Sequence, residues 1–525
     1  MMKLRLDALA IFLFFFIIVT IIGFFAARWQ KGNLTLLPEW GLAGRRFTST
    51  ISWFLLGGDI YTASTVIAIP GAMFSIGVVS GFFAIPYTAL VYPLVFVVLS
   101  RLWLVCKRHN YITVADFVQA RFGSAWLARA VAFTGLLAAM PYIALQMYGI
   151  QLAIAGLGLP LTFTIAGQTV DLPLLLAFLV LASYTYTSGL RAPVLMAFLK
   201  DAMLFVVVLA LLLLIPSHFH GIAPIFAAAH MKAATTYTFS DLIPAKQQVT
   251  YISLTIGSTL ALFLYPHTIT GILSCHSQQV IKRISIFLPI YTLLLGVIAI
   301  AGYMAIASNI HFIADFGTNS AFPALMIQLF PSWFAGFTMA TLVIIALVPA
   351  SIMSIATATL FSRNIYKGFI RKQVDAYEET RVAKFASLLI KFGALLFLLL
   401  GRTTQIVYLQ FLGGIWILQT LPAVFLGLYT HWFNRWALLI GWGVSMLLGT
   451  LLTLLNNRAS TYTLFGLPIY IALLALLINL LLTVLLTPLF NMLDPGQRYD
   501  LTLPSDYEEE HAPPIPAETG IQPFI

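Results

Sequence analysis

Asp59 stands in the run Trp53-Phe54-Leu55-Leu56-Gly57-Gly58-Asp59-Ile60-Tyr61-Thr62, a carboxyl group in an apolar stretch directly after two glycines. Glycine weakens a helix, and loosened backbone frees carbonyl oxygens that a cation can use. A carboxyl beside such backbone suits a coupling-ion site, or reversible protonation, since burial disfavours its charged form. The plainer alternative is a hydrogen bond to a neighbouring broken helix. His267 follows the helix breaker Pro266, with Tyr265 before it, and fits a gate or a packed histidine equally well. Lys200 and Asp201 are adjacent, so on a helix they point about 100° apart and are expected to pair with other helices or interfacial groups. Lys391 lies early in its apolar stretch and is expected to snorkel to the nearer interface. Uncharged polar residues collect in two more stretches: Pro141, Tyr142, Gln146, Tyr148 and Gln151 in one, Pro349, Ser351, Ser354, Thr357 and Thr359 in the other. The i, i+3, i+6 spacing puts Ser351, Ser354 and Thr357 on roughly one helical face, where they permit close packing or line a solute path.

None of this assembles an enzyme. No HExxH, GxSxG, Walker loop or CxxC occurs in a supporting context, and no nucleophile is paired with a base. His218, His220 and His230 in the segment 217–248 lack carboxylate or cysteine company, so that segment reads as plain loop and no metal or cofactor is expected.

The stretches that must position these residues are membrane spans. Of the 525 residues, 60% are hydrophobic and 9% charged, whereas soluble domains are about one quarter charged. The apolar residues form blocks of about 20, enough to cross a hydrocarbon core roughly 30 Å thick. Thirteen spans are expected near 8–27, 50–75, 82–105, 125–157, 172–188, 192–215, 249–274, 285–308, 333–362, 385–401, 404–430, 437–456 and 464–488. The first is too long for a signal peptide and lacks a small-residue cleavage site. With the N-terminus outside, cytosolic loops collect Arg28, Lys31, Arg45, Arg46, Arg101, Lys107, Arg108, Arg121, Arg129, Arg191 and most later basic residues, against Lys3, Arg5, Lys232, Lys246, Arg402 and Arg458 outside. That asymmetry predicts N-out, C-in, multi-pass in the cell membrane (the inner membrane if bacterial), and it gives the +10 charge a role other than binding nucleic acid. Cys106 and Cys275 fall near cytosolic helix ends, so no disulfide framework is expected. Residues 489–525, with Asp506, Glu508, Glu509 and Glu510 before Pro513, Pro514 and Pro516, read as a solvated, disordered cytosolic tail.

An ionisable group at bilayer depth costs several kcal/mol, which makes Asp59 a functional candidate by default. Residues 50–215 and 249–430 form two five-helix halves, preceded by an extra helix in 1–30 and followed by two in 437–488. Each half begins with an interrupted helix, at Gly57-Gly58 and at Gly257 and Pro266. Five is odd, so the halves insert with opposite topology, an inverted repeat typical of secondary transporters. A channel would show filter repeats or rings of charge, and neither is present.

Glu39-Trp40-Gly41-Leu42-Ala43-Gly44-Arg45-Arg46, Thr113-Val114-Ala115-Asp116-Phe117 with Arg121-Phe122-Gly123-Ser124, Gly189-Leu190-Arg191-Ala192 followed by Asp201, and Arg363-Asn364-Ile365-Tyr366 occur in order along the chain. Together they resemble the sodium:solute symporter family, over about residues 1–490. Phe54 to Thr62 and Leu264-Tyr265-Pro266-His267 look closest to its bacterial monocarboxylate uptake permeases. The resemblance implies an all-α leucine-transporter-type fold with a sodium between the second and ninth spans. Backbone carbonyls of Gly57 and Ile60 would be ligands, with Asp59 beside them. The ninth-span hydroxyl pair falls on Val348 and Pro349, which offer no side-chain oxygen, so the sodium site looks incomplete for a cation wanting about five or six oxygens. Ser351 substitutes only if Pro349 distorts the helix.

The expectation is therefore a symporter for a small organic anion, most simply a monocarboxylate such as lactate or pyruvate, driven by a proton or sodium gradient. Gly57, Asp59, Ile60 and Ser351 are candidates for the coupling ion. Tyr61, Gln146, Tyr265, His267, Ser354 and Thr357 are candidates for the substrate path. The competing readings are a sodium-coupled amino-acid symporter, a channel, and a membrane sensor that binds without transport.

Overall fold

Backbone amides cannot stay unsatisfied in hydrocarbon, so long apolar blocks must close their hydrogen bonds as helices. The computed structural model describes residues 6–29, 32–159, 162–165, 168–400, 407–457, 459–493 and 500–508. Lys3, Arg5, Lys31, Arg402, Arg458, Arg498 and residues 509–525, used above for orientation and tail, lie outside the described residues. Among those described, nine helices are long and apolar enough to cross a membrane, or eleven if each of two bent pairs is one span. Helices Leu172–Ser188 and Ala376–Leu400 occupy the places of the fifth and tenth expected spans. The chain is a multi-pass membrane protein.

The bent pairs lie where the two expected halves begin. Ser49–Ile60 and Ser64–Ser75 meet at 45°, Ala245–Leu262 and Pro266–Leu273 at 47°. In the second pair Pro266 opens the second half-helix, the position where a missing N–H costs nothing. In the first pair the break is displaced from its expected place. The helix runs on through Gly57, Gly58 and Asp59 and ends at Ile60. The two glycines serve close approach instead: a Cβ on Gly57 would lie 2.7 Å from the Tyr291 ring, and one on Gly58 2.8 Å from Lys200 Nζ. The actual break at Tyr61–Thr62 is held by local bonds, from Thr65 Oγ1 to Ile60 O at 2.6 Å and from Ser64 N to Thr62 Oγ1 at 3.2 Å.

The ninth span, Ser332–Ile370, is buried throughout its apolar window and forms the centre of the bundle, packed on the fourth span, Ala125–Gly156, and on the first. The first span and the two C-terminal helices, Arg435–Leu455 and Ile471–Leu493, are largely uncovered, as peripheral helices facing lipid should be. The last starts at Ile471, later than expected, because Thr461–Leu464 and Leu467–Tyr470 close an antiparallel hairpin before it.

Ion pairs and caps staple the face richest in Lys and Arg. Glu39 receives both Arg46 and the buried Arg191, the latter at 2.5 Å. Trp40 O accepts from Leu190 N at 3.0 Å; Gly189, at φ +57°, passes so close that a Cβ would sit 2.3 Å from that oxygen. Thr113 and Asp116 form a reciprocal capping box. Asp116 Oδ1 also accepts from Asn364 Nδ2 at 2.8 Å, and Asp116 Oδ2 lies 3.4 Å from Arg363 Nε.

Two expectations change here. Lys391 does not snorkel; its Nζ is buried with no hydrogen-bond partner among the described residues. The tail is docked over Asp500–Glu508, with Thr502 and Asp506 buried while Leu501 and Leu503 stay exposed. Leu501 N bonds Ala120 O at 2.9 Å, Arg121 pairs with Asp500, His109 Nε2 meets Asp506 Oδ2 at 2.7 Å, and the Arg101 guanidinium stacks 4.9 Å above the Tyr507 ring. Cys106 and Cys275 are both free and buried.

Candidate functional site

Where the second and seventh spans break, Asp59 and Ile60 share a cavity with Tyr92, Leu262 and Thr268. Asp59 is buried. Its Oδ2 lies 3.5 Å from His267 Nε2, and its Oδ1 has no hydrogen-bond partner among the described residues. Neither ring nitrogen of His267 is hydrogen-bonded either. His267 sits in the first turn of the half-helix Pro266–Leu273, its ring edge-on to Tyr142 at 5.6 Å. Buried polar groups are nearly always paired. An unpaired carboxyl oxygen and an unpaired imidazole side by side are therefore suited to taking up and releasing a proton.

On the other side of the same helix end stands Lys200, fully buried. Its Nζ donates to Gly58 O and, at 3.5 Å, to Tyr61 O, and lies 3.2 Å from Asp201 Oδ1. Adjacent residues were expected to seek separate partners. Instead the flexible lysine chain folds back so that Lys200 and Asp201 pair with each other, while Tyr291 OH donates to Asp201 Oδ2 at 2.9 Å.

A second cavity is lined by Tyr87, Tyr142, Ser258, Tyr265, Gln410 and Tyr470 among others. Tyr265 OH is buried without a hydrogen-bond partner among the described residues, and its ring lies 5.3 Å from Tyr142 and 5.2 Å from His267. Gln410 accepts from Ser64 Oγ and donates to Tyr87 OH at 3.1 Å, tying the eleventh span to the break. This chamber has aromatic walls, hydroxyl and amide groups, and no charged side chain in its lining.

The candidate residues divide accordingly. Asp59, Tyr265 and His267 gather at the breaks. Ile60 is at the break too, but its carbonyl accepts from Thr65; Gly57 lies within the helix that ends at Ile60. Tyr61 OH donates to Tyr291 O. Gln146 Oε1 accepts from Ala63 N at 2.9 Å and its Nε2 donates to Tyr142 O at 3.3 Å, so this side chain holds the break. Ser351 Oγ faces Tyr184 OH at 3.1 Å and bonds Leu347 O; Ser354 and Thr357 bond carbonyls of their own helix. Each of these three hydroxyls is thus hydrogen-bonded within the bundle. Val348 and Pro349 are fully buried in the ninth span and supply no side-chain oxygen. Among the described residues no cluster of His, Cys, Asp and Glu is fit for a metal.

Tyr87, Gln410 and Tyr470 were missed in the sequence. The available signal was Gln410 one turn before Gly413-Gly414, where glycines admit the hydroxyl ends of Tyr265 and Tyr470.

The model of the sodium:solute symporter family matches residues 40–444. The monocarboxylate transport permease protein of Rhizobium johnstonii is 48% identical over 446 residues, covering 85% of this chain and 88% of its own. An uncharacterized symporter of Bacillus subtilis, YodF, is 33% identical over 93% of this chain and 95% of its own. Among solved structures, a Na+-coupled sialic acid symporter in its substrate-bound outward-open state superposes with a TM-score of 0.71 at 16% identity, over 93% of this chain and 99% of that one. At that identity the likeness establishes the fold alone, which is the leucine-transporter type.

Proposed function

We propose that this chain, which belongs to the sodium:solute symporter family, accumulates a small monocarboxylate such as lactate or pyruvate by gradient-driven symport. The observation that carries the substrate class is the 48% identity to a relative named for monocarboxylate transport, sustained over 85% of the chain. The tyrosine-lined chamber supports it. An anion there meets the unpartnered Tyr265 hydroxyl and, at the neighbouring break, the N-terminal amides and positive dipole end of the half-helix Pro266–Leu273. Aromatic walls leave little room for a large or many-hydroxylated solute.

For the coupling ion, the proton is favoured over sodium. Asp59 is a buried carboxyl with an open oxygen, while the ninth-span positions that would complete a sodium site hold Val348 and Pro349. One proton entering with one monocarboxylate is electrically neutral, so the membrane potential neither helps nor opposes it.

Uptake of labelled lactate, pyruvate and alanine into cells expressing the protein, with and without an uncoupler, tests the reading. Accumulation of lactate and pyruvate that the uncoupler collapses is the expected result. Preference for alanine would return the protein to the amino-acid symporters. Flux that never exceeds equilibration would indicate a channel, and binding without flux a sensor.

A further inference from the structure

We propose that the Lys200 ammonium is a resident cation built into the break of the second span, occupying the place of a sodium ion, so that this site does not bind sodium. The proposal rests on the reading of the chain as a gradient-driven symporter and adds the identity of the cation at the break.

An ammonium carries three N–H donors, and three oxygens surround this one: Gly58 O, Tyr61 O at 3.5 Å and Asp201 Oδ1 at 3.2 Å. Helix-end carbonyls and a carboxylate are the hard oxygen donors that an alkali cation seeks. The carbonyls lie one residue on from the pair Gly57 and Ile60 that the family resemblance assigned to sodium, with the same spacing of three. A buried charge is tolerated only when paired and hydrogen-bonded. Lys200 meets that condition through Asp201, 3.2 Å from its Nζ, which Tyr291 holds. Gly58 completes the fit, since any side chain there would meet Lys200 Nζ.

Apart from the Gly57 carbonyl, the donors that the resemblance assigns to sodium are missing or engaged. Val348 and Pro349 offer no side-chain oxygen, Ser351 is turned to Tyr184, and the Ile60 carbonyl is capped by Thr65. A sodium ion entering beside the fixed ammonium would meet like-charge repulsion that a low-dielectric interior magnifies.

Binding of radiolabelled sodium to the purified full-length protein tests this directly. Wild type is expected to show no saturable binding. Lys200→Ala, which empties the cage, is expected to gain it, and Lys200→Ala combined with Asp201→Asn to lose that gain. If Lys200→Ala does not fold, Lys200→Gln carries the same expectation, because its amide oxygen is itself a cation ligand. Saturable sodium binding by wild type, or no gain in a folded neutral variant, overturns the proposal. Neither result involves a transported acid. Failure of lactate and pyruvate to be transported would refute the substrate reading alone, whereas sodium binding by wild type would refute this proposal and the preference for a proton while leaving the substrate reading standing.

Discussion

Gln146 is bonded at both ends of its amide, to Ala63 N and to Tyr142 O, and neither bond is to a solute. Removing it strands a buried N–H at the break, at a cost of about 1–3 kcal/mol. Gln146→Ala is therefore predicted to lower uptake of lactate and pyruvate by the same factor, read from initial rates for each acid. Loss confined to one acid would make Gln146 a specificity contact instead. For Asp59, gradient-driven accumulation should disappear in Asp59→Asn while counterflow exchange of labelled for unlabelled lactate continues, since exchange needs no net proton movement. Equal loss of both activities would assign Asp59 to the architecture of the break. Asp59 and His267 stand out as candidates in the sequence because an ionisable group in an apolar run has few reasons to be there. Gln410 and Tyr470 were not, because each is unremarkable locally and becomes informative only when folding brings the eleventh span and the hairpin to the break. Ser351, Ser354 and Thr357 stay open between packing and a solute path for the converse reason. Helical spacing gives a shared face but not what the hydroxyls bond, and each has a carbonyl of its own helix within reach.

The motif residues near the basic face act as joints between elements. Glu39 holds the loop before the second span against Arg191 at the start of the sixth, and Arg191 is buried. Glu39→Ala leaves that guanidinium without its carboxylate and is predicted to destabilise by about 3–5 kcal/mol, measured as a drop in the thermal unfolding midpoint of the purified protein. An unchanged midpoint would show that the pair is not structural. The docked segment Asp500–Glu508 gives a pH dependence. Burial opposes ionisation of Asp506, but hydrogen bonds from His109 and Leu503 N, with the charges of His109 and Arg108, hold its carboxyl below the usual range. A lowered value in the docked state means that the contact contributes fully above the ordinary aspartate range near pH 4 and is lost as pH falls below it. Limited proteolysis after Tyr507 should therefore stay slow at neutral pH and accelerate only in strong acid; rapid cleavage at neutral pH would contradict the docking. Composition could not reveal this segment, whose anchoring depends on Arg101, His109 and Arg121, far away in sequence. The break of the second span was misplaced by a few residues for a related reason. Gly57-Gly58 signals a weak helix, yet the pair is used for the approach of Tyr291 and Lys200, and the chain opens just beyond.

At the scale of the molecule, hydropathy located the spans because a bilayer leaves the backbone no alternative to helix, and the two bent pairs are where Pro266 and the polar run after Asp59 interrupt it. The burial of the ninth span's apolar window follows from its many small and branched residues, which let neighbours close on every side. What hydropathy cannot report is which ion the assembled bundle couples to, since that depends on oxygens from separate spans meeting at one point. Here the second, sixth and seventh spans bring together Asp59, His267, Lys200 and Asp201, with Lys200 paired to Asp201 and one Asp59 oxygen unbonded among the described residues. The most direct test is lactate and pyruvate uptake into proteoliposomes, comparing an imposed pH gradient without sodium against a sodium gradient at uniform pH. The account predicts concentrative uptake with the pH gradient alone and none with sodium alone. Accumulation that requires sodium would contradict it.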